Sequence, residues 1–370
     1  MRFPEFTEEW KAEQLDNIAT LSKGIGISKE QLSEDGEPCI LYGELYTKYK
    51  SEIIKQVESK TDINGSKLKR SKANDVIIPC SGETAVDIAT ARCVPFDNIL
   101  FGGDLNVISL HQYDGAFMSY QLNGKRKYDI ARVAQGVSIV HLYGEHLKAI
   151  KTYNPTLPEQ QKIAKLLSLL DDRIDTQNKI IEDLKKLKSA ISERLFKSVK
   201  GSTVLLSDLC DIVKGKQING ENLSDSGNYY VMNGGTEPSG YYDNYNVEAN
   251  TISISEGGNS CGYVQFNTSP FWSGGHCYSI QNIADKVDNM YLYHYLKSNE
   301  DAIMKLRIGS GLPNIQKKDL AMFKIIVPKI EWQIKISTFL SSLERKAEIE
   351  ERIQNVMQKQ KLYLLQQMFI

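Results

Sequence analysis

Leu157-Pro158-Glu159-Gln160-Gln161-Lys162-Ile163-Ala164 opens a stretch with no further Gly or Pro until about residue 199. Along it Ile163, Leu167, Leu170, Ile174, Ile181, Leu184, Ile191 and Leu195 fall on steps of four and three. That period of 3.5 is the apolar seam of a coiled coil. The stretch returns 173 residues later, where Gln160, Lys162, Ile163, Leu167 and Leu170 become Gln333, Lys335, Ile336, Leu340 and Leu343. The second seam opens with Ile336, Leu340, Leu343 and Ala347, then is expected to shift phase through Ile349, Ile353, Val356, Tyr363 and Leu364. A helix of about 40 residues reaches roughly 60 Å, more than one small domain needs, and two such helices bury their seams most simply against each other.

The repeat extends beyond the helices. The same offset maps Gly136 onto Gly309, Leu142 onto Ile315, Leu147 onto Leu320 and Pro155 onto Pro328. Earlier the offset is 191, pairing Leu15 with Leu206, Lys23 with Lys214, Gly24 with Gly215, Ile27 with Ile218 and Gly43 with Gly234, so the first copy holds 18 more residues within it (191 − 173). A chain written twice in large units does one operation at two places. The order is globe 1–156, helix 157–199, globe 200–329, helix 330–370. Connectivity and a pseudo-twofold repeat predict antiparallel helices with the globes at opposite ends. Gln177 and Lys188 break the first seam and could fix its register.

The globes read as mostly β, which makes the fold class α+β. Val76-Ile77-Ile78, Asn106-Val107-Ile108, Thr251-Ile252-Ser253-Ile254 and Tyr263-Val264-Gln265-Phe266 are short β-branched or alternating runs between turn-rich stretches. Phe117–Leu122 and Tyr291–Leu296 are short aromatic helix candidates.

At 370 residues, 41% hydrophobic and 25% charged, the composition is that of an ordinary soluble protein. No run of 18 apolar residues exists, and Met1-Arg2-Phe3-Pro4-Glu5-Phe6 lacks a signal-peptide core, so the expected location is the cytoplasm, away from membranes. Six cysteines without a CxxC pair read as small buried residues. A net charge of −1 excludes a wholly basic nucleic-acid protein but not local patches. Lys67, Lys69, Arg70 and Lys72 form one such cluster, and Lys125, Arg126, Lys127 and Arg132 another. Each could neutralise phosphates or simply be a solvated surface.

A catalytic constellation is not legible. The phosphate loop GxxxxGK[ST] and the dinucleotide motif GxGxxG after a strand are absent. Asn154-Pro155-Thr156-Leu157 has only half of an amino-methylation tetrad, and His141 and His146, five apart, miss the spacing of a helical metal site. No metal ligands and no catalytic residues are therefore expected.

Leu157 to Ala164 ahead of the heptads, Gly311-Leu312-Pro313-Asn314-Ile315 before Val327-Pro328, Arg2 to Phe6 ahead of Trp10, and the ending Leu364-Leu365-Gln366-Gln367-Met368-Phe369 together resemble the DNA specificity subunit of type I restriction-modification enzymes. The resemblance covers essentially the whole chain; the second helix departs from it, with Glu331-Trp332-Gln333 where Glu-Gln-Gln is usual. It implies two target recognition domains, each reading half of a split, asymmetric site on double-stranded DNA. The helices would separate them and dock two adenine-methylating subunits, with two restriction/translocase subunits joining. It implies that this chain binds no cofactor, S-adenosylmethionine, ATP and Mg residing on the partners. Phosphate contacts would come from the two clusters of the first globe and from Lys214, Lys216, Lys305, Arg307, Lys317 and Lys318 in the second, with Asn233, Glu256, Asn259 and Asn314 as base-edge or turn residues. A different class also fits the pattern, a non-enzymatic coiled-coil scaffold for protein partners.

Overall fold

The computed structural model describes residues 2–64, 67–309, 311 and 313–369, so Met1 and Leu312 of the quoted motifs lie outside the described residues. It divides into two compact units, Met1–Lys179 with Arg352–Ile370, and Ile180–Glu351.

In the first unit the main strands are β1 (Lys11–Gln14), β2 (Ala19–Lys23), β3 (Glu37–Ile40), β4 (Asp75–Pro79), β5 (Arg92–Val94), β6 (Leu100–Phe101), β7 (Leu105–Leu110) and β8 (Lys151–Asn154), with helix α1 (Gly115–Asn123) between β7 and β8. Helix α2 (Leu157–Ser198) follows. The second unit repeats the series with β9 (Ser202–Leu205), β10 (Asp211–Lys214), β11 (Tyr229–Met232), β12 (Thr251–Ser255), β13 (Val264–Asn267), β14 (Trp272–Ser273), β15 (Cys277–Gln281), helix α3 (Asn289–Ser298), β16 (Lys324–Val327) and the long helix α4 (Ile330–Gln367).

The main strands of the two units share one topology. The central antiparallel sheet has the order β2-β7-β4-β5 in one unit and β10-β15-β12-β13 in the other. β1 pairs antiparallel with β8, as β9 does with β16, and β3 runs parallel to β6, as β11 does to β14. This is an α+β fold written twice.

The two central sheets are buried differently, as their side-chain alternation dictates. On β4, Val76 and Ile78 enter one apolar cluster and Ile77 enters another, so every residue of the strand is buried. On β12, Ile252 and Ile254 enter the core, while Ser253 faces the other way and accepts from Asn267 Nδ2 at 2.9 Å.

Each short helix begins at an aspartate whose side chain caps it: Asp114 Oδ1 accepts from Phe117 N and Asp288 Oδ1 from Tyr291 N, both at 2.7 Å. The repeated glutamines tie these caps to the long helices. Gln160 Oε1 accepts from Asp114 N at 2.9 Å while its Nε2 donates to Pro155 O at 2.8 Å. Gln333 does the same with Asp288 N and Pro328 O, both at 2.8 Å. Buried and carrying both a donor and an acceptor, the amide satisfies two main-chain groups at once.

Within each unit the long helices run antiparallel. In the first, Asp171 meets Lys361 and Asn178 meets Gln354; in the second, Lys185 meets Glu351 and Lys188 meets Glu344. Ile163, Leu167, Leu170, Ile174, Ile181, Ile336 and Leu340 are buried, and Leu184, Ile191, Leu195 and Leu343 are half-buried. Phe196 takes over the buried position at the end of α2, edge-on to Tyr291 and Tyr295.

The second half of α4 departs from the expected phase. Ile349, Ile353, Val356 and Tyr363 are exposed, whereas Met357, Leu365 and Met368 are buried. The reason lies in the surroundings: Leu365, Met368 and Phe369 pack with Phe117 and Tyr120 of α1, and this contact, rather than heptad continuity, sets the rotation of the helix. No helix of the described residues is long and apolar enough to cross a membrane.

Candidate nucleic-acid interface

The repeated residues that do not build the core converge on one place in each unit. β2 ends at Lys23 and β10 at Lys214, paired across the sheet with Asn106 and Tyr278. The glycine after each lysine lies against a neighbouring main chain; a Cβ at Gly24 would overlap the Gly102 carbonyl, and one at Gly215 the Gly274 carbonyl. A hairpin closes the cleft, bridged Gln135↔His141 in the first unit and Ile308↔Asn314 in the second. Its turn needs Gly136 (φ 124°) and Gly309 (φ 102°), in the region that glycine alone enters freely.

Main-chain bonds place one residue at the cleft floor. Cys80 N donates to Asp104 O at 2.7 Å and Leu142 N to Cys80 O at 2.8 Å; Glu256 N donates to His276 O at 2.9 Å and Ile315 N to Glu256 O at 2.8 Å. Five positions thus correspond: Lys23, Cys80, Asp104, Asn106 and His141 with Lys214, Glu256, His276, Tyr278 and Asn314. The lysine is kept and the other four differ.

Their chemistry diverges accordingly. In the first unit the floor is a neutral thiol, pushed up to about 11 by burial. Asp104 Oδ2 accepts from Ser81 Oγ at 3.1 Å, His141 stacks on Tyr143, and Lys23 Nζ lies 5.7 Å from the Tyr143 ring centroid. Tyr42, Ser81, Ser138, Ile139 and His141 line an open cleft of about 910 Å³. In the second unit the floor is the buried carboxylate of Glu256, with Lys214 Nζ 2.6 Å from its Oε1. Tyr278 OH donates to the same oxygen at 3.1 Å, and burial together with this carboxylate pushes the phenol up. His276 Nδ1 stands 3.8 Å from Oε2, and Asn233 Oδ1 accepts from His276 N at 3.1 Å.

The structure therefore brings Lys214, Asn233, Glu256 and Asn314 together, with Asn259 exposed on the loop after Glu256 and Lys216, Lys305, Arg307, Lys317 and Lys318 exposed on the same unit. Several of the basic residues expected in the first unit are paired within the fold. Arg70 is held by both carboxylate oxygens of Glu37 at 2.6 and 2.9 Å, and Arg126 by Asp129 at 3.2 Å over the Tyr153 ring. Lys125 Nζ reaches Gln366 O at 3.5 Å, Lys127 is half-buried, Arg132 pairs with Asp129 at 3.5 Å, Lys67 and Lys72 are exposed, and Lys69 sits in a short strand beside β6. Sequence reasoning missed Lys23, Cys80, Asp104 and His141 as a group; the offset pairing Lys23 with Lys214 was the one signal for them. No group of three or more His, Cys, Asp or Glu is placed to hold a metal among the described residues.

The model of the type I restriction modification DNA specificity domain matches residues 7–186 and again residues 200–359. The chain belongs to this family. Among relatives, a putative type I specificity subunit of Mycoplasma genitalium is 34% identical over 122 residues, 32% of this chain and 31% of the relative. One of Mycoplasma pneumoniae is 33% identical over 145 residues, 39% of this chain and 38% of the relative. The chain thus matches only about a third of the length of these two family members. The specificity subunit of the type I restriction enzyme MjaVIII of Methanocaldococcus jannaschii is 24% identical over 96% of this chain and 90% of its own. The crystal structure of the M. genitalium type I restriction-modification S subunit superposes with a TM-score of 0.69 at 19% identity, covering all of this chain and 97% of that one, and shares the fold.

Proposed function

We propose that this family member reads a two-part DNA site, each unit contacting one half, within a type I restriction-modification complex. The observation that carries the reading is the main-chain frame built twice with different side chains at four of its five corresponding positions. A frame kept with its lysine suits the same duplex geometry, and changed side chains suit different base edges.

The long helices contribute to both units and set the separation of the half-sites. They also dock two adenine-methylating subunits, to which restriction/translocase subunits join. Supporting the docking, α2 and α4 carry exposed apolar residues at equivalent places, Leu166 with Phe339 and Ile180 with Ile353, each 173 residues apart. Equivalent patches suit two copies of one partner. The chain supplies no reacting group; S-adenosylmethionine, ATP and Mg belong to the partners.

The test is an exchange of residues 1–156 for the counterpart from a family member of different specificity, followed by sequencing of methylated bases in cells that express the complex. One half of the methylated sequence changes and the other stays. A change in both halves together would refute independent reading.

A further inference from the structure

The second cleft differs from the first in one way that bears on how it reads. In the first unit the repeated lysine faces a neutral thiol position; in the second it faces a buried carboxylate. We propose that Lys214 reads a base edge, guanine, and that Glu256 is its positioning residue. This rests on the half-site reading above and goes beyond it.

A lysine is a compact, strongly hydrated charge on a flexible stem, so an unheld one serves best as a phosphate contact. Lys214 is held. Its Nζ lies 2.6 Å from Glu256 Oε1, and that oxygen is itself fixed by Tyr278 OH at 3.1 Å. Glu256 is anchored through its own main chain on both sides, to His276 and to Ile315, and is only 7% exposed. Its second oxygen, Oε2, is buried and has no hydrogen-bond partner. The lysine side chain remains 54% exposed, so two N–H donors of a confined ammonium face outward.

Charge and direction are thereby separated. The Lys214–Glu256 pair is neutral as a unit, so it releases few counterions on meeting a phosphate backbone. Its outward donors keep their direction. In the major groove only guanine offers two adjacent acceptors, O6 and N7; adenine sets a donor beside its acceptor, thymine sets a methyl group there, and cytosine presents a donor. A fixed head that only donates selects guanine, the one base edge there with two adjacent acceptors. Lys216, exposed and without an ion-pair partner among the described residues, has the opposite character and contacts phosphate.

The test uses the full chain in its complex with the methylation subunits, mapping methylated sites and measuring DNA affinity across a salt series. The wild-type complex yields a two-part methylated sequence; if it does not, the half-site reading fails before the lysine is at issue. With that in place, Lys214→Ala lowers preference for guanine at one position of the second half-site by roughly tenfold and leaves the salt dependence unchanged. Lys216→Ala reduces the salt slope by about one and leaves the sequence unchanged. Glu256→Gln, equal in volume, releases the lysine: the guanine preference falls and the salt slope steepens. The proposal is overturned if Lys214→Ala behaves as Lys216→Ala does, or if Glu256→Gln keeps the wild-type preference. Should Glu256→Gln fail to fold, the comparison of Lys214→Ala with Lys216→Ala decides alone, a denaturation curve showing that Lys214→Ala, which leaves Glu256 without its cation, is folded.

Discussion

Asp171 on α2 and Lys361 on α4 form an ion pair at 2.6 Å, and their repeat equivalents, Glu344 on α4 and Lys188 on α2, form the other. Adding 173 to the acid of one pair gives the acid of the second, and subtracting it from the base gives the base. The helices have exchanged roles, so each carries one acid and one base at corresponding places. The environments are unequal. Lys361 also pairs with Glu52 at 2.5 Å, Asp171 accepts from Tyr120 OH at 2.7 Å and Ser51 Oγ at 2.9 Å, and the Asp171 side chain is 4% exposed against 26% for Glu344.

Removing the base should therefore cost unequal amounts. Lys361→Met strands two buried carboxylates and should destabilise the chain by about 3–5 kcal/mol. Lys188→Met leaves a partly solvated acid and should cost about 1 kcal/mol or less. Chemical denaturation of the two variants measures the difference; equal losses would refute the account.

The capping glutamines give a second expectation. Gln160→Ala leaves the main-chain groups of Asp114 and Pro155 unpaired, and Gln333→Ala does so for Asp288 and Pro328. Each should cost roughly 2 kcal/mol, the penalty for unmet buried polar groups. Gln→Glu should be as damaging, because the carboxylate accepts but cannot donate. A melting point within a degree of wild type for either alanine variant would show that water replaces the amide.

His294 predicts a pH response. Burial holds its imidazole down at about 4, against 6.5 ordinarily, beside Ser341 Oγ at 2.9 Å and Glu344, with Lys188 and Asp288 also acting on it. The folded state keeps it neutral, and the unfolded state protonates it below about pH 6.5. Stability from this group is complete above that pH and is lost as pH falls toward 4, by up to about 3 kcal/mol. His294→Asn should flatten that part of the stability–pH curve; an unchanged slope would assign the acid sensitivity to other groups.

The exposed apolar pairs on the long helices are expected to matter for assembly and not for folding. Leu166→Lys and Phe339→Lys should each lower affinity for the methylation subunit about tenfold or more with unfolding unaltered. Isothermal titration against the isolated partner reads the first and denaturation the second. Undiminished affinity in the double variant would place the docking surface elsewhere.

Repeat, helices and fold class were legible because each leaves a periodic or offset signature. The seam of α2 reads directly. That of α4 misleads after Ala347, since Ile349, Ile353 and Val356 are apolar yet exposed, and the burying surface, Phe117 and Tyr120, is supplied from more than 200 residues away. The clefts were harder for the same reason. Lys214, Glu256, His276 and Asn314 come from four separate segments joined by main-chain bonds, and no spacing along the chain records that meeting. Clustered charge instead pointed to Arg70 and Arg126, which the fold pairs with Glu37 and Asp129.

The first unit takes its closing residues from the far end of α4, so it waits on translation of the whole second unit. Phe117, Tyr120, Ile163 and Leu167 find Leu365, Met368 and Phe369 only after the whole second unit has been synthesised. The stretch from Ile180 to Leu364 is 185 residues long (364 − 179). At about 5–20 residues per second, it takes roughly 10–40 s to make, during which that apolar patch stands open on the ribosome. The first unit, made before the second, is thus sealed after it, and a nascent chain stalled in between is a ready client for chaperones.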